Sequence, residues 1–275
     1  GVEVQNINGY LLDAPNIFIE PRRDPICDVP RMLKGSQPTG DFFVEENFEP
    51  HEFVRPLIGA EEFLKNRSRF CLWLQDAPQE ILKIPAIKFR IDSCREFRLS
   101  SKRAMTRSAA KTPHLFAEIR QPSGGNYILV PATTSGERKY VPIDFISSEV
   151  ICSDAALMIP NANLWIFGIL SSIVHMEWMR LVAGYLGSSY RYSAVLVYNN
   201  FPFPKFDPRI ESSAKKILET RKKFREISLA KLYDEMPSEL QIAHEENDRS
   251  VLDSYGFSQK ISIDEMLTKL LQMFR

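Results

Sequence analysis

Glycine is scarce, 12 in 275 residues, and its one adjacent pair is Gly124-Gly125. A cofactor- or nucleotide-binding turn needs clustered glycines opening a helix, so that backbone can approach the ligand. Gly124-Gly125 lies in a turn with no helical pattern after it, and no Gly-x-x-x-x-Gly-Lys-Ser/Thr string occurs. The chain is therefore expected to hold no cofactor of its own. The Asn/Asp-Pro-Pro-aromatic motif with which an amino-methyltransferase holds its target amine is missing too. The nearest string, Asn199-Asn200-Phe201-Pro202-Phe203, has the wrong order.

Metal ligands are equally thin. The four cysteines, at 27, 71, 94 and 152, are too far apart for a zinc knuckle or a redox pair and read as free thiols of an intracellular protein. The four histidines are scattered at 51, 114, 175 and 244. His175 and Glu177 stand two apart, on different faces of a helix, which suits neither a zinc site nor a catalytic dyad; His175 reads as structural. Glu45-Glu46 and Glu61-Glu62 lack the following lysine of a nuclease centre. No metal site and no catalytic residue are expected. Long apolar runs are also lacking. The most apolar stretch, Ala155 to Val174, is interrupted by Pro160, Asn161 and Asn163 and makes a poor membrane span. With no basic leader before an apolar segment, the expected location is the cytoplasm.

What is present is the mix of a globular protein: 44% hydrophobic and 25% charged residues. Its length allows an ordinary core without disulfide or metal staples. Six prolines between 15 and 50 predict an irregular first segment with short strands. A short helix is expected at 59–66, a strand at 68–74, and a helix over 88–110 that ends before Pro113. Strands are expected at 116–120, 127–131 and 140–143, separated by turns at 121–126 and 133–137. Apolar residues at helical spacing predict one long helix over 164–186, with Gly187 as its stop. Residues 194–198 read as a buried strand, and the proline-rich stretch 201–208 as a boundary. Helices follow at 210–224, 229–233 and from Ser238 to about Tyr255. Ser262-Ile-Asp-Glu265 is a capping box that opens a last one. The class is α+β: a mixed domain with short strands and one long helix over 1–204, then a small all-helical domain over 205–275.

Charge sums to zero, 35 basic against 35 acidic residues, which argues against a nucleic-acid binder. Its distribution argues the other way. Lys88, Arg90, Arg95, Arg98, Lys102, Arg103, Arg107 and Lys111 face only Asp92 and Glu96 within that segment, while Glu235 to Asp253 is acidic. A basic stripe balanced elsewhere still creates a local positive field.

Several strings go beyond composition. Phe167-Gly-Ile-Leu-Ser-Ser-Ile-Val-His-Met-Glu-Trp-Met-Arg180 leads into Tyr190-Arg-Tyr-Ser193, and Val197-Tyr-Asn-Asn-Phe-Pro-Phe-Pro204 follows. Together they resemble the target-recognition domain of MmeI-like, type IIL restriction–modification enzymes. The resemblance extends to Lys34-Gly-Ser-Gln-Pro38, Arg55-Pro-Leu-Ile-Gly-Ala-Glu-Glu-Phe63, Arg69-Phe-Cys-Leu-Trp-Leu74 and Ser135-Gly-Glu-Arg-Lys-Tyr-Val-Pro142. It continues in Leu232-Tyr-Asp-Glu-Met-Pro237 and Ala243-His244. It implies a chain that reads an asymmetric site in double-stranded DNA, attached in one polypeptide to an adenine-specific methyltransferase domain that uses S-adenosylmethionine. Within it, base-reading residues fall in two segments: Gly187, Ser189, Tyr190 and Arg191 in the turn after the long helix, and Ser135, Glu137, Arg138 and Lys139 in the loop 133–139. Relatives often carry charged residues at the positions matching Gly187 and Ser189, where this chain has small ones; Arg191 is kept. An arginine fork matches the two major-groove acceptors of guanine. Lys88, Arg95, Arg98, Ser100, Lys102, Arg103 and Arg107 are expected to lie along phosphates and set register. Two other readings stay open: a protein-interaction or scaffolding domain, and a diverged nuclease or methyltransferase centre.

Overall fold

Turn residues and serines cut this chain into short elements. The computed structural model describes residues 53–67 and 69–273. In chain order these run β1 (Val54–Ile58), α1 (Ala60–Lys65), β2 (Phe70–Leu72), α2 (Gln79–Leu82), α3 (Pro85–Leu99) and α4 (Ala104–Ser108). Then come β3 (Asn126–Pro131), β4 (Thr133–Ser135), β5 (Asp144–Ser147), β6 (Ile151–Cys152) and β7 (Ala156–Pro160). Helices α5 (Leu164–Leu170) and α6 (Ile173–Val182), strands β8 (Gly184–Leu186) and β9 (Ser189–Arg191), and helices α7 (Pro208–Arg221), α8 (Leu229–Asp234), α9 (Ser238–Ser254) and α10 (Ile263–Met273) complete the list. The chain is α+β, as its pattern predicts. The irregular segment expected over 1–50 lies outside the described residues. Among the described residues no helix is long and apolar enough to cross a membrane, and no cluster of His, Cys, Asp or Glu is placed to hold a metal.

The fold divides into two units. The first takes the described residues through Glu62, Arg67–Gly124 and Ser148–Asp154; the second takes Phe63–Asn66, Gly125–Ser147 and Ala155 onward. The expected boundary at 204/205 thus falls inside the second unit.

In the first unit β1 pairs antiparallel with β2 and parallel with β6. Cys71, Leu72 and Leu74 are buried with Leu57, Ile87, Ile91, Cys94 and Phe116, so the Phe70–Leu74 run is core, as its composition implies. The helix expected over 88–110 breaks after Leu99 and restarts at Ala104. Phe116–Arg120 forms no strand. Instead, the Gln121 amide donates to the Ser148 and Val150 carbonyls at 2.6 and 2.8 Å, and its oxygen accepts from the Cys152 N–H at 3.3 Å. One side chain thus supplies the pairing a strand would have made.

In the second unit β3 is the central strand of the order β5-β3-β7, and Tyr127 to Val130 are all buried. Strand pairing begins at Asp144 rather than Tyr140, so the strand expected at 140–143 is instead an irregular lead into β5. The long apolar period forms two helices rather than one. Ser172 accepts the His175 N–H and caps α6, and its hydroxyl also donates to the Ile169 carbonyl at 2.7 Å. Serine hydroxyls compete with the helical ladder, and two in succession are enough to open it here. Residues 194–198 form one wide helical turn, not a strand. Ser193 caps it, and Val195 and Leu196 face solvent while Val197 is buried. A five-residue apolar run cannot distinguish the two by periodicity.

The groups freed by the α5–α6 break are taken up by α9. His244 Nδ1 meets the Ser171 carbonyl at 3.0 Å, and Asp248 Oδ1 accepts the Ile173 N–H at 2.8 Å. Asn247 donates to the Gly168 carbonyl at 2.7 Å and accepts from Ser213 at 2.9 Å. A Cβ on Gly168 would come within 2.5 Å of Ile210, so only glycine lets α5 approach α7 this closely. Ser262 accepts the Glu265 N–H at 3.2 Å, as its capping box implies, while α7 starts at Pro208, two residues before the expected Ile210, with Asp207 as its cap.

Burial holds His175 and His244 down to about 3 and pushes Asp248 up to about 6. The histidines bind fewer protons folded than unfolded, so their contribution is complete above about pH 6.5 and is lost on acidification. Asp248 acts oppositely, favouring the folded state as pH falls through about 6. These three groups together leave about one excess proton on the unfolded chain and contribute a fall in stability of about 1.4 kcal/mol per unit between about pH 6 and 4, to which His114, also held below its usual value by burial, adds in the same direction. Urea unfolding across that range measures the slope. His244→Gln should flatten it, and an unchanged slope in that variant contradicts a neutral buried His244.

Candidate nucleic-acid interface

Strands β4, β9 and β8 form one antiparallel sheet in the second unit, in that order. The register sets Thr133 and Gly184 beside Arg191, Thr134 and Tyr185 beside Tyr190, and Ser135 and Leu186 beside Ser189. The segments 133–139 and 187–191, separate in sequence, are therefore hydrogen-bonded neighbours. Strand side chains alternate, and directly paired residues share a face. One face carries two rows across the three strands: Leu186, Ser189 and Ser135, then Gly184, Arg191 and Thr133. The other face carries Tyr185, Tyr190 and Thr134.

The two faces differ in composition, and each carries an exposed residue from β8. Arg191, Leu186 and Gly184 are exposed, and Ser189, Ser135 and Thr133 half-buried. On the opposite face Thr134 is buried, Tyr190 half-buried and Tyr185 exposed, with the Tyr185 and Tyr190 rings 4.9 Å apart. Tyr192, next in the alternation, is buried and its hydroxyl meets His175 Nε2 at 2.8 Å. His175 is fully buried, packs edge-on against Phe201, and is structural, as its spacing implies. Thr134 and Tyr192 thus anchor the support side while Arg191 projects from the other. Tyr190, expected among the base readers, belongs to the support face.

The hairpin between β8 and β9 has a two-residue turn, Gly187-Ser188. Gly187 has φ +60°, and Ser188 is not among the residues of positive φ. That is the type II′ arrangement, whose first position favours glycine and whose twist matches the strands. Gly187 therefore shapes a hairpin tip instead of stopping a helix; α6 has already ended at Val182.

The loop after β4 is tied down by charge. Arg138, expected to read a base, is buried instead: its Nε and Nη2 reach the two Asp234 oxygens at 2.7 and 3.3 Å. Its carbonyl accepts from Arg180 Nη2 at 3.0 Å, and Arg180 pairs with the buried Glu177. Lys139 lies 3.5 Å from Glu245 and above the Tyr140 ring. Tyr140 donates to Asp248 Oδ2 at 2.7 Å and stacks on His244 at 4.1 Å. Arg221 reaches the Ile143 carbonyl at 2.8 Å and Asp144 at 2.6 Å. Glu137 stays exposed, with its N–H on the Ser135 hydroxyl at 3.3 Å. Of the expected loop readers, Glu137 and Lys139 are exposed and Ser135 is half-buried.

The basic stripe in the first unit is likewise sorted by burial. Arg98 is fully buried, and its guanidinium donates to the carbonyls of Ala109, Thr112 and Leu115 at 2.9, 3.2 and 2.8 Å. An arginine held this way organises the turn after α4 and does not reach a phosphate, which corrects its expected role. Arg90 is buried too. Lys88 pairs with Asp92, Ser100 donates to the Phe97 carbonyl at 2.8 Å, and Arg107 donates to the Ser101 and Lys102 carbonyls at 2.9 and 2.8 Å. Arg95, Lys102 and Arg103 are exposed. Leu186, which the helical period assigns to the end of a helix, is the exposed residue that sequence reasoning missed. Its signal is the alternation within 184–191, legible only once the hairpin is known.

Comparison with known proteins places the chain in a family. Residues 13–205 match the family described as MmeI, target recognition domain, and residues 204–275 the one described as MmeI, C-terminal domain. The chain is 35% identical to DNA methyltransferase A of Bacillus subtilis (strain 168) over 291 residues, covering 99% of this chain and 33% of that protein. It is similar to the solved structure of the type IIL restriction–modification enzyme MmeI in complex with DNA, at 41% identity and a TM-score of 0.79, covering 82% of this chain and 31% of that one. The chain thus spans about a third of the length of these relatives.

The two arginines near the sheet should separate in stability. Arg138→Met removes a buried cation from half-exposed Asp234, which water can then reach, and should cost about 1–2 kcal/mol. Arg191→Ala, at an exposed position, should stay within about 0.5 kcal/mol of the parent chain. Urea unfolding of both variants checks this; equal losses would contradict the assignment of one arginine to support and the other to the free face.

Proposed function

Because the chain belongs to the MmeI family, as its target recognition and C-terminal domains, we propose that it reads a specific sequence in double-stranded DNA on behalf of an adenine-specific DNA methyltransferase. The observation that carries this reading is the exposed face on which β4 and β9 lie side by side. Three strands at about 4.8 Å and two rows about 6.7 Å apart make a face roughly 10 Å by 7 Å. A major groove about 12 Å wide admits a sheet of that size.

Within this face the side chains divide the work. Arg191 forks onto O6 and N7 of guanine, and Gly184 beside it leaves the guanidinium room, since nothing lies within 4 Å of a Cβ placed there. Ser189 and Ser135 are short donors and acceptors that let the sheet approach closely, and Glu137 accepts from an exocyclic amine. Arg95, Lys102 and Arg103 meet phosphates, and Arg138 and Lys139 hold the reading loop. The segment 1–204 reads DNA while 205–275 supports it. Methyl transfer from S-adenosylmethionine belongs to the methyltransferase domain within the two-thirds of the relatives that this chain does not span. Such a partner places the working protein in the compartment that holds the DNA, the cytoplasm of a bacterial cell.

Selection from a random duplex library by the purified chain gives the sequence it prefers. Arg191→Ala should then lose about 1–3 kcal/mol at one guanine–cytosine pair and none elsewhere, measured by anisotropy on single-position variants. Unchanged discrimination at every position removes Arg191 from the readers. Arg95→Ala, Lys102→Ala or Arg103→Ala should weaken all duplexes alike and lower the salt slope by about one unit each. An altered sequence preference in any of these would mark that residue as a reader instead.

A further inference from the structure

Leu186 occupies a position that the fold alone does not explain. It is 62% exposed, on the edge strand of the sheet, immediately before the turn glycine. Its register with Ser189 puts it in the same row as Ser189 and Ser135 and on the same face as Arg191. The aromatic neighbour Tyr185, itself 68% exposed, is on the opposite face, where its ring meets Tyr190, so Leu186 is the apolar side chain that shares a face with Arg191. An apolar side chain left on a polar reading face forfeits contact unless the ligand brings an apolar group to it. In the major groove one base carries such a group on its edge: the C5 methyl of thymine.

We infer that Leu186 is a further specificity-determining residue, which contacts a thymine methyl a few base steps from the guanine met by Arg191. The inference rests on the DNA-reading role proposed above. Geometry also sets the spacing. Leu186 and Arg191 lie one strand and one row apart, a diagonal of about 8 Å, whereas successive bases rise about 3.4 Å. The thymine therefore falls about two to three base steps from that guanine, on either strand. Ser189 lies between the two in the sheet and leaves the approach open.

The experiment compares duplexes of the selected sequence containing thymine with the same duplexes containing uracil, which lacks only the methyl group. The full chain should bind the uracil duplex about fourfold more weakly, the value of one buried methyl. Single replacements should trace the loss to one thymine at the stated distance from the guanine. Leu186→Ala should bind thymine and uracil duplexes alike, with affinity close to that of the parent chain on uracil. Because the uracil comparison is made on the unaltered protein, it can still overturn the contact if the variant misfolds. If no sequence is enriched from the library, the DNA-reading role and this inference fall together. If a sequence is enriched but uracil binds as well as thymine at every position, the reading role stands and the Leu186 contact is overturned.

Discussion

One carboxylate joins the helical tail to the strands. Asp248, buried in the middle of α9, accepts the first free N–H of α6 with one oxygen and the Tyr140 hydroxyl with the other. The N-terminus of a helix is where an anion is best placed, because unpaired N–H groups and the helix dipole both favour it. His244, one turn earlier on α9, takes the Ser171 carbonyl on the other side of the same break and the Tyr233 hydroxyl from α8. Without these two side chains the break between α5 and α6 would bury an unpaired carbonyl and an unpaired N–H, each costing about 1–3 kcal/mol. The kink that aims α6 at the hairpin therefore depends on residues more than 70 positions away.

From that anchor the polar contacts spread to the reading sheet. Tyr140 fixes the end of the loop that leaves β4, Arg138 clamps its middle on Asp234, and Arg180 on α6 grips its backbone. Tyr192 ties β9 to His175, also on α6. Strand β9 and the loop that leaves β4 are thus held from behind by the same helix. A base reader needs this kind of support, because a donor that wanders by an ångström cannot discriminate between groove edges. Strings that carry the family resemblance, around Arg138–Tyr140, Ser171–His175, Tyr233–Asp234 and His244, are the ones that meet in this network. It also explains why the tail folds with the second unit instead of standing apart.

Four arginines illustrate how little residue type alone decides. Arg98 spends its guanidinium on three backbone carbonyls, Arg138 on Asp234 and Arg221 on a carbonyl and Asp144, and all three are buried. Arg191 sits on a sheet face with a glycine on one side and a threonine on the other, and is exposed. A donor fork with no acceptor nearby is available to a ligand; the same fork inside a ring of carbonyls is part of the scaffold. The basic stripe along 88–111 is correspondingly weaker than a count of its charges implies.

Sequence by itself determined the class, the family and much of the local structure. Clustered glycines and metal-ligand spacings are missing, and a loss of that kind is visible without coordinates. The helix start at Ser262, the buried strand 127–130 and the core run 70–74 follow from caps and apolar content, which are local properties. So does the alternation that sends Tyr192 inward and Arg191 outward. Only the tertiary structure decided that the segments 133–139 and 187–191 share one sheet, that the helix over 164–186 breaks at its serines, that Arg98 and Arg138 turn inward, and that Leu186 faces out. Each of these depends on a partner far along the chain: β9 for β4, α9 for the break, Asp234 for Arg138. Periodicity and spacing carry no information about which distant group arrives, and hydrogen-bond satisfaction, which selects among the local alternatives, can be counted only when it has.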